Sequence, residues 1–457
     1  MGFVSGFLYV AAQHLLTMPA RNRIPARVSD PHATLVLLRL FLAILAIPAL
    51  LAGQINHKLV VISIDGLDAR FLNDPALRVK APNLRKLMRE GASATVIGVA
   101  PSDTWPAHAS LVTGVSPWQH GMLLNDQPAA TLKTATLWDV AAAKGLKSAT
   151  VYWPGTLGAR VAFNLPELHE PEPQEAHKGA VALFDSIAQK ATPAGLTTLI
   201  EKKFSSFAKE IWTDSTAAQA AVYLLGAENP DLLFVHLSEV DSEQHETGAL
   251  SIYAREILEN SDDLVGQILA KIPRGAIVAV VSDHGIENSN RVVRPRVILA
   301  QAGVKGRVEV RDGLVGTPDE AVAMALRKIL PSANNPAGKW GFAREVPMAE
   351  VRARAPMQSR WVAAFDTVQN FMASEEDRGP AVGPGTHTGA HGLWPNRPGY
   401  RSVFILAGDG IHPVKLGEIE MLQVAPTLAD AVGVKLPAAK ATSLWRQIYG
   451  AEPRRTR

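Results

Sequence analysis

The chain has no cysteine in its 457 residues. This excludes disulfides, zinc–thiolate sites, a cysteine or cysteine-derived nucleophile and a lipoprotein-type anchor. It leaves the compartment open, because an exported protein need not carry disulfides. A surplus of one charge is missing too, once the N-terminal segment is set aside. Residues 1–53 hold four arginines (Arg21, Arg23, Arg27, Arg39) and one acid, Asp30. Removing them from the 46 basic and 43 acidic residues of the whole chain leaves 42 of each. A neutral body gives no support to a nucleic-acid-binding surface built on a basic field. With 47% apolar residues over this length, the chain can bury a large core, as one big α/β domain or as two.

Long hydrophobic runs are also lacking. The most apolar stretch, Leu40–Gly53, is a short core ending in small residues and preceded by arginines. That is the pattern of a secretory signal, and it is too short for a comfortable membrane span. A start at Met18 would make the signal more ordinary. The alternative is a retained N-terminal anchor, if the stretch extends back to Ala33 and tolerates Arg39. Residues 1–53 are therefore expected to be a signal peptide or anchor, and the protein to be periplasmic or secreted. It would meet a membrane only through a retained leader.

Beyond the leader, β-branched apolar runs alternate with helical patterns, which is the signature of a parallel sheet buried on both faces. Strands are expected at Lys58–Ile64, Ser148–Trp153, Asp231–Leu237, Gly275–Ser282 and Ser402–Ala407. Helices are expected at Pro82–Glu90, Leu137–Lys144, Asp214–Gly226, Ile252–Ile272 and Glu418–Val432. Residues 165–174, rich in proline and glutamate, read as an irregular loop. Residues 286–385 lack the regular apolar strands of the body and show helical runs at Glu320–Leu330 and Trp361–Met372.

Chemistry-bearing residues gather where the expected strands end. Asp65-Gly66 closes the first run. Ser238-Glu-Val-Asp241-Ser-Glu-Gln-His245 follows another as a loop, and Asp283-His284-Gly285 closes a third. In open α/β sheets ligands bind beyond the carboxyl ends of the strands. Asp65, Asp241, Asp283 and His284 all fall there, and carboxylate and imidazole are ordinary metal ligands. Taken singly, Asp65 is an ordinary turn residue and Asp241–His245 a solvated acidic loop.

The stretch around which the rest is organised is Val99–Asp126, VAPSDTWPAHASLVTGVSPWQHGMLLND. Pro106 suits the first turn of a helix, placing Thr104 just before the helix start, where free N–H groups and the dipole favour an anion. By itself Thr104 reads as an N-cap. The run Thr104-Trp-Pro-Ala-His, then Ser110-Leu-Val-Thr-Gly114, Pro117, His120-Gly121 and Asn125 resembles the nucleophile region of the nucleotide pyrophosphatase/phosphodiesterase family, within the alkaline phosphatase superfamily. By motif order the likeness extends over Lys58–Lys435. It is thinnest across 154–214 and 286–385.

The resemblance implies an alkaline-phosphatase-like three-layer α/β sandwich, with catalytic segments 54–285 and 386–440, an inserted cap at 286–385 and a polar tail at 441–457. It implies two zinc ions, one held by Asp241, His245 and His391, the other by Asp65, Asp283, His284 and the Thr104 oxygen. Thr104 would be the nucleophile. Asn125 would donate its amide to a phosphoryl oxygen, with help from backbone N–H groups at the helix start. Trp105 offers a flat face for a nucleobase, or simply packs under the loop. His108 and His120 match no family ligand and are expected to orient the loop; His387 matches none either and reads as a supporting or surface residue. The implied partner is a small phosphodiester or nucleotide, cleaved through a phospho-threonine. A phosphomonoesterase or phosphonate hydrolase of the same superfamily is the nearest alternative. A cofactor-independent phosphoglycerate mutase fits less well, because it uses serine. A non-catalytic exported metal-binding protein would have no use for Thr104 or Asn125.

Overall fold

A computed structural model describes residues 57–168, 179–329, 340–385 and 388–450. The expected leader and His387 lie outside the described residues, as does the end of the tail. The central sheet has eight strands. They are β1 (Leu59–Ile64), β2 (Ala92–Ile97), β3 (Ser148–Val151), β4 (Phe163–Leu165), β5 (Leu232–Leu237), β6 (Ile277–Val281), β7 (Ser402–Gly408) and β8 (Val414–Glu420). Their spatial order is β8-β2-β7-β6-β1-β5-β3-β4. All neighbours pair in parallel except β7, which runs antiparallel to both β2 and β6.

Alternation along β1 explains the layers. Val60, Ile62 and Ile64 enter one core with the helices Pro82–Glu90, Asp214–Tyr223 and Ile252–Leu269. Leu59 and Val61 enter the other, with the helices Thr104–Thr113, Leu137–Ala142 and Val424–Ala431. Side chains of a strand point alternately to the two faces, so a slip of one residue would exchange the two sets. Burying both sets fixes the register and makes a three-layer α/β structure.

The sheet order sets the site. β1 lies between β6 and β5, with Ile64 level with Leu237 and Ser63 level with Val281. The segments leaving these three adjacent strands carry Asp65, Asp241 and Asp283-His284 to one end of the sheet.

Several local expectations are corrected. Asp241 and His245 stand on a helix, Glu239–Thr247, rather than in a loop, so their four-residue spacing places them on one face. Thr104 is the first helical residue, and extended Asp103 takes the N-cap position. The helix expected over 361–372 is two strands, Ala363–Thr367 and Phe371–Ala373, turned at Asn370 with φ 71°. Its helix-like apolar spacing is overridden because Ala363–Thr367 pairs on both sides and is wholly buried. Residues 418–420 belong to β8, and the closing helix starts at Val424. Residues 286–385 do contain strands, short ones in sheets of two to four. They have a core of their own around Val293, Val315, Phe342 and Phe365. No helix among the described residues is long and apolar enough to cross a membrane.

Gly91, between the helix Pro82–Glu90 and β2, tests how closely helix and sheet are fitted. A Cβ there would lie 2.2 Å from the Leu406 carbonyl oxygen and 2.8 Å from Ala407 Cα, both backbone atoms of β7. Gly91→Ala is expected to lose about 1–3 kcal/mol of stability through overpacking, read as a lower urea midpoint. An unchanged midpoint would mean that the turn can back away.

Candidate active site

Two groups of donors form at the carboxyl end of the sheet. The ligand atoms of Asp65, Asp283 and His284 lie within 4.8 Å of one another, as do those of Asp241, His284 and His391. His284 Nε2 stands 3.1 Å from Asp283 Oδ2 and 3.4 Å from Asp65 Oδ1. Gly66 lets the three carboxylates approach. Its φ is 62°, its N–H donates to Asp283 Oδ1 at 3.2 Å, and a Cβ would lie 2.9 Å from Asp241 Oδ1.

Burial shapes the electrostatics. It pushes the Asp65 carboxyl well above its usual range, and the charges of Asp283 and Asp241 add to the effect. Burial likewise pushes His284 well below the usual imidazole range, and the neighbouring His391 charge adds to that. Asp65 Oδ1, Asp241 Oδ1, Asp283 Oδ2 and both His284 nitrogens are buried without hydrogen bonds. Buried polar atoms are nearly always paired. A cluster of orphaned carboxylate and imidazole donors fits a cation site, and these residue types suit zinc.

The second group is held from outside. His245 Nδ1 donates to the Gly389 carbonyl at 2.9 Å, because a carbonyl oxygen can only accept, and this turns Nε2 toward the carboxylates. That Nε2 is 3.1 Å from Asp241 Oδ2. The tighter group nevertheless contains His284 where the sequence implied His245. His245 stands at the outer side, 29% exposed, with its ring 5.0 Å from that of His391. His391 stacks on His284 at 3.9 Å, and its Nδ1 is 3.5 Å from Asp103 Oδ1. Burial opposes a charge on His391, but Asp103 and Asp241 outweigh it and raise the ring to about 10. Burial would also raise Asp241, yet the His245 contact and the charge of His391 hold it well below the usual range.

Thr104 is buried and reaches the donors through His108. His108 Nδ1 donates to the Thr104 carbonyl at 2.8 Å and stands 3.6 Å from Asp283 Oδ2. Burial pushes this ring down to about 3, so it is neutral, and Nε2 accepts from the Ser63 hydroxyl at 2.7 Å. His120 is held between Ser110, Pro106 and the Met122 N–H. Both rings are thus hydrogen-bonded to the segment that carries Thr104. Asn125 Oδ1 accepts from the Trp105 N–H at 3.0 Å, so that helix-start N–H is committed to Asn125. The bond also settles which way the Asn125 amide faces. The stacking role expected for Trp105 does not fit its placement. Its ring is 3% exposed, packs with Ala109, Met122 and Leu132, and donates Nε1–H to Glu167 Oε1 at 3.2 Å.

Sequence reasoning missed Asp103, Glu167 and His236. His236 had a signal, as the one polar residue in the run Leu232–Leu237. Glu167 had none, being one of several glutamates in an irregular stretch.

Residues 59–354 match the sequence model of the family described as "Type I phosphodiesterase / nucleotide pyrophosphatase". The chain belongs to that family. The match takes in Asp65, Thr104, Asn125, Asp241, His245, Asp283 and His284, and ends before His391. Among curated members of this phosphodiesterase family, the rat ectonucleotide pyrophosphatase/phosphodiesterase family member 3 is 23% identical over 261 residues, 52% of this chain and 26% of the relative. The venom phosphodiesterase of Macrovipera lebetinus is 25% identical over 261 residues, with the same shares. The matched stretch thus spans about a quarter of these relatives. Human ectonucleotide pyrophosphatase/phosphodiesterase 5 superposes with a TM-score of 0.57 at 15% identity, covering 86% of this chain and 100% of that one. An inactive threonine-to-alanine variant of the murine enzyme 5, in complex with AMP, gives the same TM-score and coverage at 16% identity. These structures share the alkaline-phosphatase-like fold.

The helix that carries Asp241 is seated by Asp214. Asp214 Oδ1 accepts from Ser238 N–H at 2.7 Å, and Oδ2 accepts from the Ser261 hydroxyl at 3.2 Å. Burial, and then the Glu239 charge, raise its carboxyl from 3.8 to about 7. The folded state therefore holds the proton more tightly than the unfolded chain does. The stability this gives is complete below about pH 4 and is lost as pH rises through 7. Asp214→Asn keeps an acceptor without ionising, so its unfolding free energy should fall less than that of the parent between pH 4 and 7. Urea titrations at stepped pH check this, and parallel profiles would exclude Asp214 as the cause.

Proposed function

We propose that this chain is a zinc-dependent phosphodiesterase or nucleotide pyrophosphatase that works through a phospho-threonine on Thr104. The observation that carries the reading is the convergence of Asp65, Asp283, His284, Asp241 and His391, several with orphaned buried atoms, beside the helix that Thr104 opens. One zinc would be held by Asp65, Asp283, His284 and the Thr104 oxygen, the other by Asp241, His391 and His245. When bound, such cations lower the proton affinity of a coordinated hydroxyl and offset charge on the attacking and leaving oxygens.

The chain's own residues do the rest. Thr104 Oγ1 attacks phosphorus, the bond to the leaving oxygen breaks, and the alcohol or phosphate departs. Water then cleaves the phospho-threonine and restores the hydroxyl. The Asn125 amide, turned by its bond to Trp105, serves a non-bridging oxygen as charge grows there. His108 and Ser63 hold the first turn of the helix in place, so that Thr104 meets phosphorus without reorganisation. The arginine-flanked Leu40–Gly53 segment supports export to the periplasm or outside the cell.

Thr104→Ala should lower turnover of a nitrophenyl nucleotide diester at least ~1,000-fold, the scale of losing a nucleophile. Elemental analysis should still find about two zinc ions per chain. Full activity in the variant, or one ion or none in the active parent, would overturn the reading. Removal of the metal by chelation should abolish turnover and added zinc restore it.

The site also favours diesters. A monoester near neutral pH is largely a dianion, and arginine is the usual partner for its second charge. Val99–Asp126 contains no Lys or Arg, and half-exposed Asp103 places a carboxylate directly before Thr104. The value of kcat/KM for the nitrophenyl nucleotide diester should exceed that for nitrophenyl phosphate at least ~10-fold, about 1.4 kcal/mol of transition-state preference. A monoester preference would mean that a basic residue outside this stretch reaches the phosphoryl group.

A further inference from the structure

The residues assigned above leave one buried polar chain unused. His236 is the only polar side chain of β5 and lies beside β1, level with Ser63. Its Nε2 is 3.1 Å from Asp65 Oδ2. Its Nδ1 is 3.1 Å from the Tyr152 carbonyl and 3.2 Å from Glu167 Oε2. The other Glu167 oxygen, Oε1, accepts from Trp105 Nε1–H at 3.2 Å. Asp65, His236, Glu167 and Trp105 thus form one connected path. It starts on a cation-site carboxylate and ends on the residue next to Thr104.

The path divides the two oxygens of Asp65. A carboxylate oxygen only accepts, so Oδ2 takes the His236 Nε2–H. Oδ1 is left buried without a hydrogen bond, on the side of His284. A carboxylate free to rotate about its last torsion would present either oxygen, or both, to an ion. Partners behind the ligands of a metal fix this orientation. His236 in turn is fixed at Nδ1 by its hydrogen bond to the Tyr152 carbonyl, and Glu167 Oε2 lies within ion-pair distance of the same nitrogen.

We infer that His236 and Glu167 are positioning residues: they lock Asp65 with Oδ1 turned to the cation and tie that ligand to the helix of the nucleophile. The inference rests on the two-cation phosphodiesterase reading. The alternative is a core histidine that packs and does nothing else.

The experiment uses the full chain and measures zinc affinity by chelator competition, alongside kcat, KM and thermal unfolding. His236→Phe fills the space without an N–H. It should weaken one of the two expected ions, the one Asp65 would hold, ~10–100-fold, the usual loss on removing such a partner. His236→Gln restores a donor toward Asp65 and should recover most of that affinity. Both variants should lower kcat more than they raise KM. If His236→Phe binds two zinc ions as tightly as the parent and turns over normally, the inference falls while the phosphodiesterase reading stands. If the parent binds two ions and His236→Phe loosens one, but no phosphodiester is turned over by either, the reading falls while the positioning role stands. Should His236→Phe fail to fold, Glu167→Ala decides, since Glu167 is at the edge of the site. Weaker zinc binding in that variant supports the path, and unchanged binding overturns it.

Discussion

Three buried carboxylates, Asp65, Asp241 and Asp283, are held together at the end of one sheet, and the rest of the site is arranged around their mutual repulsion. Two unit charges about 4 Å apart repel by roughly 4 kcal/mol at the effective dielectric of a protein site. Four of the five imidazoles nearby respond according to what each faces. His391, beside Asp103 and Asp241, and His236, between Asp65 and Glu167, are driven toward the charged form although burial opposes it. His284 and His108 are driven by burial toward the neutral form. Neutral His284 keeps a lone pair at the centre of both donor groups, where a cation would use it. Until a cation takes their place, the charges on His391 and His236 balance the neighbouring carboxylates.

Bringing such groups together is costly unless the scaffold is stiff, and the sheet supplies the stiffness. The donor-bearing segments leave three strands that are adjacent in space though far apart in sequence, and register fixes their levels. Each segment is then held by its own side contacts. Gly66 allows close approach, Asp214 seats the helix of Asp241, and Gly389 holds His245 by a carbonyl. The nucleophile arrives on a different element, the helix from Thr104 to Thr113. Its link to the donors is the His108 ring, a side chain buried completely and bonded at both nitrogens.

What could be read in the sequence follows from where the information is stored. Central strands buried on both faces write themselves as apolar runs, so the parallel β1, β5 and β6 and the antiparallel β7 were legible, and the residues at their ends with them. Strand β2, Ala-Ser-Ala-Thr-Val-Ile, was not, because its first four residues are small or polar and lack the bulk that normally marks a buried strand. The run after Trp361 has helical spacing, and only pairing with strands distant in sequence makes it β. Asp241–His245 looked like a loop because its polar run hides a helix with one side buried against the site. The path through His236 and Glu167 depends on a contact between residues about seventy positions apart, which no local pattern encodes.

The segment 286–385 is coupled to the donors more tightly than its place as an interruption of the sheet suggests. As it returns to the body, its chain pairs Gly389–Ala390 with Glu287–Asn288. The next residue is His391. Gly389 also supplies the carbonyl to which His245 Nδ1 donates. The pairing is pinned by Arg397, 4% exposed, which donates to Glu287 Oε2 at 3.0 Å and to Asp366 Oδ1 at 2.6 Å. Removing one partner of such a buried ion cluster costs about 3–5 kcal/mol, because the others are left unpaired. At the opposite edge, Gly313 adopts a φ of 75° and packs against the backbone of Leu393 and Trp394, which a Cβ would meet at about 2.5 Å. The stretch from Gly389 to Trp394 is therefore gripped on both sides by the intervening segment. Variation in that segment cannot be neutral to the site unless these grips are kept, for they decide where His391 and His245 point.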